Sequence, residues 1–311
     1  MKSSPSILIY FIRRLLSSLF VLFGIISLTF FLVRLAPGNP FSAERNISPA
    51  ILRNLEARYK LSGSLLEQYK NYLLNLCHGD LMLSTRYRNR SVNEIIGQTL
   101  PVSITLGGCS FVLALAFGIS SGCLSAFFWN KPFDKITQGI TLMGISIPSF
   151  VLAPICVLIF AILLRLLPPA GWGSIEKLIL PSFCLGIPYG CVVCRLTRSA
   201  MLEVLHSDYI RTAKAKGLTE SSILFVHGLK AAASPIIAYS GPLAANLLTG
   251  SMVIEQIFGI SGMGSFFVDG VLNRDVFLVS GVTLVYSLLL ILFNLLADML
   301  CLLFDKRIVL E

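Results

Sequence analysis

Apolar and polar positions alternate in long blocks along this chain. An uninterrupted apolar run covers Leu15–Val33, and further runs cover about 100–128, 136–164, 178–193, 231–254 and 276–304. A helix needs about 20 apolar residues to cross a bilayer. The pattern therefore predicts an all-α integral membrane protein with six transmembrane helices. Prolines punctuate it. Pro37 and Pro40 stop the first helix, and Pro101 falls in the first turn of the second, where proline is tolerated. Pro148, inside Ile147-Pro148-Ser149-Phe150, falls mid-way along the third run. A fixed kink is expected there, with a flexing point beside the pathway as the alternative. Trp172 suits the headgroup belt at the far interface.

Two polar intervals interrupt the blocks. In residues 41–99, Leu61, Leu65, Leu66, Tyr69, Tyr72, Leu73 and Leu76 mark short amphipathic helices lying over one end of the bundle. The other interval is Asp208–Pro235. Ser207 or Asp208 can cap a helix, Ala213 and Ala215 favour it, and Lys214 and Lys216 suit its last turn. Gly217 can then supply a left-handed residue, and Thr219 can cap a second helix near Glu220. A short helix, a sharp glycine turn and a second helix are predicted.

Composition agrees with the membrane reading. Apolar residues are 55% of 311 and charged residues only 13%, where soluble domains are about one quarter charged. Mean hydropathy is +0.80. The net charge of +9 is placed by orientation rather than by nucleic acid. With the N-terminus inside, Lys2, Arg13, Arg14, Lys131, Lys135, Arg195, Arg198, Arg211, Lys214, Lys216, Lys230, Lys306 and Arg307 fall inside. Beyond the long first loop, Arg34, Arg165, Lys177 and Arg274 fall outside. Long loops cross largely regardless of charge. Both termini and Asp208–Pro235 are thus expected in the cytoplasm, next to anionic membrane lipid. No small-x-small cleavage site follows the first run, so that span is read as retained.

The catalytic inventory is sparse. No G-x-x-x-x-G-K-[ST] and no H-E-x-x-H occur. Cys77-His78 lacks further ligands, and Cys191-x-x-Cys194 sits in an apolar run, where packing explains it better than metal or redox chemistry. Asp298, four residues after Asn294, is read as paired to a basic residue of a neighbouring helix rather than as a proton relay. Few other charges lie in the spans, which argues against a proton-driven carrier.

The run Asp208-Tyr209-x-Arg211-Thr212-Ala213-Lys214-Ala215-Lys216-Gly217-Leu218, followed by His227 and Pro235, resembles the cytoplasmic EAA loop of bacterial ABC-importer permeases. It is most similar to the dipeptide/oligopeptide/nickel branch. Arg34-Leu35-Ala36-Pro37-Gly38, Gly79-Asp80-Leu81 with Ser84, Ile147–Phe150, the segment Gly250 to Gly264 with Glu255, Phe258 and Gly262, and Asn294 to Asp298 extend the resemblance over nearly the whole chain. Met82 stands where the family has a second glycine, and Lys306 where it has proline.

The resemblance implies an ABC type I importer-like permease fold in the bacterial inner membrane. Residues 1–34 would be the N-terminal segment and first helix, 35–99 an extracytoplasmic loop region, and 100–311 a five-helix core with its coupling loop at about 195–230. It implies a homologous second permease, two cytoplasmic ATP-binding subunits that hold the ATP and Mg, and an extracytoplasmic substrate-binding protein. Peptides are the expected cargo, with nickel or another small solute as the alternative. A secondary transporter needing no ATPase is the alternative from a different class. Asp208 to Leu218 would dock on the ATPase. Pro148, Gly250, Glu255, Gly262, Gly264 and Asp298 would serve gating or structure. No metal site is expected, and the substrate-binding residues are not legible.

Overall fold

Helices frame the computed structural model, which describes residues 7–35, 63–87, 89–249 and 251–304. The expectations for Leu61, Gly250, Pro37-Gly38 and the Asp305-Lys306-Arg307 tail lie outside the described residues. In chain order the elements are α1 (Ile7–Leu35), α2 (Leu65–Cys77), α3 (Val92–Phe127), α4 (Pro132–Ser146) and α5 (Ser149–Cys156), which runs on as a π-helix over Val157–Leu163. Next come α6 (Ile175–Leu205), α7 (Asp208–Ala215) and a π-helical segment (Ser222–Gly228) that leads through Leu229–Ala231 into α8 (Ala233–Leu248). The last are α9 (Met252–Ile257), α10 (Met263–Leu272) and α11 (Val276–Phe304). Among the described residues the only β pairing is one antiparallel bridge, Leu83 to Ser91.

Five stretches are long and apolar enough to cross a membrane: Ile12–Leu35, Val92–Phe127, Ile175–Leu205, Ala233–Ile257 and Val276–Cys301. The bent pair α4–α5 is the sixth if counted as one span. Here the structure corrects the sequence reading of Pro148. The third span is not one kinked helix; it is two helices meeting at 107°. Ile147 is extended, with ψ 116°, and Pro148 begins the next helix. A proline disfavours the helical region for the residue before it, so the helix ends there instead of bending.

Two further boundaries differ. The second span starts at Val92, so Pro101 lies well inside α3 and not in its first turn. The Ser91 side chain accepts the Glu94 N–H at 3.1 Å and nucleates the helix earlier. The fourth helix does not stop near Val193. It continues to Leu205 and carries Arg195 and Arg198 within it.

The central pair is α3 and α6. Of the apolar window in α6, 56% is buried, against 6% for α1, which places α6 at the centre and α1 at the rim. Gly118 lets α3 approach closely, because a Cβ there would stand 2.5 Å from Val193 Cβ. Small residues at such contacts let membrane helices gain packing and backbone proximity. Leu106, Leu180, Cys184, Val193, Leu243 and Leu247 fill the core around the pair. On α1, Leu16, Phe20, Phe23, Leu28 and Leu32 face outward, as a lipid-contacting helix requires.

The helix α1 runs antiparallel to α11. Arg14 pairs with Asp298 at 2.8 Å near one end, and the Arg34 guanidinium sits 5.7 Å from the Phe277 ring near the other. Both α1 and α11 therefore turn their terminal ends to the side that carries α7. The opposite end holds α2, the loop after it, and α10.

Candidate functional site

The helix α7 leaves α6 through a two-residue joint, His206-Ser207. Ser207 occupies the cap position, but its hydroxyl turns back to donate to Val204 O at 2.6 Å and caps nothing. Asp208 lies in the first turn, where its charge suits the helix dipole. Arg211 reaches it at 3.2 Å, and the Thr212 hydroxyl donates to Asp208 O at 3.0 Å. Ile210 and Ala213 are buried and pack with Ile223, Val204 and Leu205. Tyr209, Arg211, Thr212, Lys214, Ala215 and Lys216 remain exposed. A small helix with one buried edge and one free, basic face results.

Gly217 ends it. Its φ is +78°, a region that side chains disfavour. Its N–H donates to Lys214 O at 3.0 Å, and the Leu218 N–H donates to Ala213 O at 3.4 Å. That pair of bonds is a Schellman stop, with Lys216 as its cap residue. Thr219 then starts the next segment: Ile223 N–H donates to its carbonyl at 2.9 Å and Ser222 N–H to its hydroxyl at 3.4 Å. That segment is π-helical. It is tied back to α7 by Tyr209, whose hydroxyl lies 2.7 Å from His227 Nδ1.

Two clefts flank α7. One, of about 640 Å³, lies towards the α3–α4 turn and is lined by Phe128, Trp129, Lys131, Arg211, Lys214 and Glu220. His206 meets the Trp129 ring edge-on at 5.3 Å, and Lys131 sits 5.3 Å from the Phe128 ring. The other, of about 820 Å³, opens between the end of α6 and the start of α8. At the start of α4, Asp134 is buried and accepts four hydrogen bonds. It accepts from Arg198 Nε at 2.7 Å, Arg198 Nη2 at 2.9 Å, Ser125 Oγ at 2.6 Å and Asn130 N–H at 2.9 Å. This carboxylate fastens the α3–α4 turn, whose Phe128, Trp129 and Lys131 line the first cleft, to α6.

Three residues named from sequence meet elsewhere. Glu255 is fully buried. It accepts from Ser103 Oγ at 2.8 Å and from Ser265 N–H at 3.0 Å, and Ser103 Oγ in turn accepts from Met263 N–H at 2.8 Å. The carboxyl is folded over the Gly262-Met263-Gly264 turn that opens α10. A Cβ at Gly262 would stand 2.5 Å from it, and one at Gly264 would stand 3.0 Å from Oε2. Ser103 brings α3 into the same knot. Asp298 belongs to neither group and pairs with Arg14, while Pro148 stands apart at the α4–α5 break. Among the described residues, no cluster of three or more His, Cys, Asp or Glu could hold a metal.

Sequence reasoning missed Ser103, Asp134 and Asp275. Asp275 is buried and accepts from Ser84 Oγ, from Arg86 N–H at 3.1 Å and from Leu278 N–H at 3.1 Å. It thereby caps α11 and fastens the loop after α2. Nearby, the Tyr87 hydroxyl donates to Asp269 at 3.2 Å. Partial burial, and then that carboxylate, push the phenol above its usual value. Met82 has φ +69° and is buried among Tyr72, Ile95 and Phe277. The backbone there is left-handed although a side chain occupies it.

The family model described as "Binding-protein-dependent transport system inner membrane component" matches residues 114–310, and its N-terminal companion matches residues 7–106. Oligopeptide transport system permease protein OppB of Haemophilus influenzae is 46% identical over 301 residues, covering 96% of this chain and 98% of that one. OppB of Escherichia coli is 43% identical with the same coverage. Dipeptide transport system permease protein DppB of Bacillus subtilis is 40% identical over 299 residues, 96% of this chain and 97% of that one. Among solved structures, an inward-facing form of the MetNI methionine ABC transporter aligns with a TM-score of 0.54 at 14% identity. It covers 68% of this chain and 96% of that one, a likeness of fold.

Proposed function

The chain belongs to the family of binding-protein-dependent transport system inner membrane components, and we propose that it forms one half of the pathway of a peptide importer. It is a multi-pass inner-membrane permease subunit, itself non-catalytic, of an ABC system with partner permease, ATPase and substrate-binding components. Peptide cargo follows from the oligopeptide and dipeptide permeases it resembles at 40–46% identity. The finer assembly is one homologous second permease and two ATP-binding subunits, which hold ATP and Mg.

One observation carries the mechanism. The helix α7 projects from the bundle with Ile210 and Ala213 seated and Arg211, Lys214 and Lys216 free. Such a face, placed on the cytoplasmic side, is built to lie in a groove of an ATPase subunit. Closure of the ATPase pair then displaces α7 as a unit. The short joint at His206-Ser207 passes that displacement to α6, and the Tyr209–His227 tie passes it to the segment leading into α8. Those two helices border the core, so their movement alternates the side to which the pathway opens.

The test is uptake of labelled trialanine into proteoliposomes. Uptake that requires ATP, the co-encoded ATPases and the binding protein supports the reading. Uptake by this chain alone without ATP overturns it in favour of a secondary transporter.

A further inference from the structure

The cleft between the end of α6 and the start of α8 carries charge of both signs. Glu203 lies on the same face of α6 as Ala200, three residues earlier. Lys230, in the Leu229–Ala231 turn of helix that follows the π-helical stretch, lines the cleft too. Both line the same space of about 820 Å³, and neither forms an ion pair among the described residues. Two opposite charges that share a cleft without closing on each other leave room for a molecule that bridges them. The floor is small and apolar, formed by Ala200, Ala231 and Ala232, so it admits a backbone and short side chains. The Tyr209–His227 pair walls one side.

We propose that this cleft binds a small zwitterion, an amino acid or short peptide, with its ammonium at Glu203 and its carboxylate at Lys230. The volume exceeds the roughly 300 Å³ at which small-molecule sites begin. Glu203 and Lys230 are exposed, so each contact with a ligand charge is screened and worth up to about 1 kcal/mol, a factor of about five in affinity. Specificity therefore comes from the pair, not from either charge. Because Tyr209 of α7 forms part of the wall, an occupant braces α7 against the π-helical segment. Occupancy then slows ATP turnover, a consequence that rests on the docking reading above.

The experiment is calorimetric titration of the purified permease–ATPase assembly in nanodiscs, without binding protein. The probes are trialanine, N-acetyl-trialanine and trialanine amide. The site predicts that each blocked peptide binds about fivefold more weakly than trialanine. Glu203→Gln weakens trialanine by a similar factor and abolishes the effect of N-acetylation. Lys230→Gln does the same for amidation. Both are surface changes that leave the fold intact. Equal affinity of wild type and both variants for trialanine overturns the site, as does the absence of saturable binding to wild type. The crossed pattern with unchanged ATP hydrolysis supports the site and counts instead against docking through α7.

Discussion

The Tyr209 hydroxyl and His227 Nδ1 lie 2.7 Å apart, and their rings meet at 71° with centroids 5.9 Å apart. This contact joins α7 to the π-helical segment across 18 residues of sequence. A push on α7 would therefore have a route to α8 besides the Gly217 turn.

Replacing Tyr209 with Phe keeps the ring and removes the hydrogen bond. Such a bond is worth about 0.5–1.5 kcal/mol, so Tyr209→Phe should lower peptide uptake per ATP hydrolysed about two- to tenfold. The melting temperature should fall by a few degrees at most, because the pair is exposed. Parallel measurement of uptake and ATP hydrolysis checks the first statement, and a melting curve checks the second.

Gly217 tests the turn itself. No atom lies within 4 Å of a Cβ placed there, so the cost of a side chain is backbone strain alone. That cost is about 1–2 kcal/mol for an L-residue at this φ, and more for a β-branched one. Gly217→Val should reorient the end of α7 and reduce both uptake and recovery of the ATPases. Gly217→Asn, which tolerates the left-handed region, should stay near wild type. Equal behaviour of the two variants contradicts the role given to this turn.

Gly262 sits under the Glu255 carboxyl. Gly262→Ala places a methyl 2.5 Å from that group and must displace it from Ser103 and Ser265. Overpacking of this kind costs about 1–3 kcal/mol. The variant should melt earlier in detergent than Glu255→Gln, which keeps the shape and part of the bonding. Fluorimetric melting curves of the two variants decide the order.

Met82 sets two effects against each other. Relieving a side chain at φ +69° gains about 1–2 kcal/mol, whereas deleting a buried methionine loses about 2–5 kcal/mol. Met82→Gly should therefore lower the melting temperature although it restores the glycine of the resembling turn. A rise in melting temperature would mean that strain dominates.

The sequence made some of this legible and hid the rest for physical reasons. Gly217 and Thr219 could be read because helix stops and starts are local. The capping sequences Ser64-Leu-Leu-Glu67 and Ser91-Val-Asn-Glu94 were equally local. The second is masked in sequence because Leu100-Pro101 offers a stronger apparent start. Pro148 reads as a kink from sequence, since composition cannot tell a bent helix from a broken one. Glu255 was picked out by resemblance, yet its partner Ser103 is 152 residues away. Ser84 and Asp275 are 191 apart, and Asp134 and Arg198 are 64 apart. No periodicity reports such pairs; only packing does.

If α7 meets an ATPase, site-specific photo-crosslinking in native membranes reports that contact most directly. A photoreactive residue would replace Arg211, exposed on α7, and, as a control, Phe20, exposed on α1. The account predicts an adduct between the Arg211 position and a P-loop ATPase, identified by mass spectrometry, and none from Phe20. An ATPase that co-purifies with the chain yet never crosslinks to the Arg211 position would contradict it.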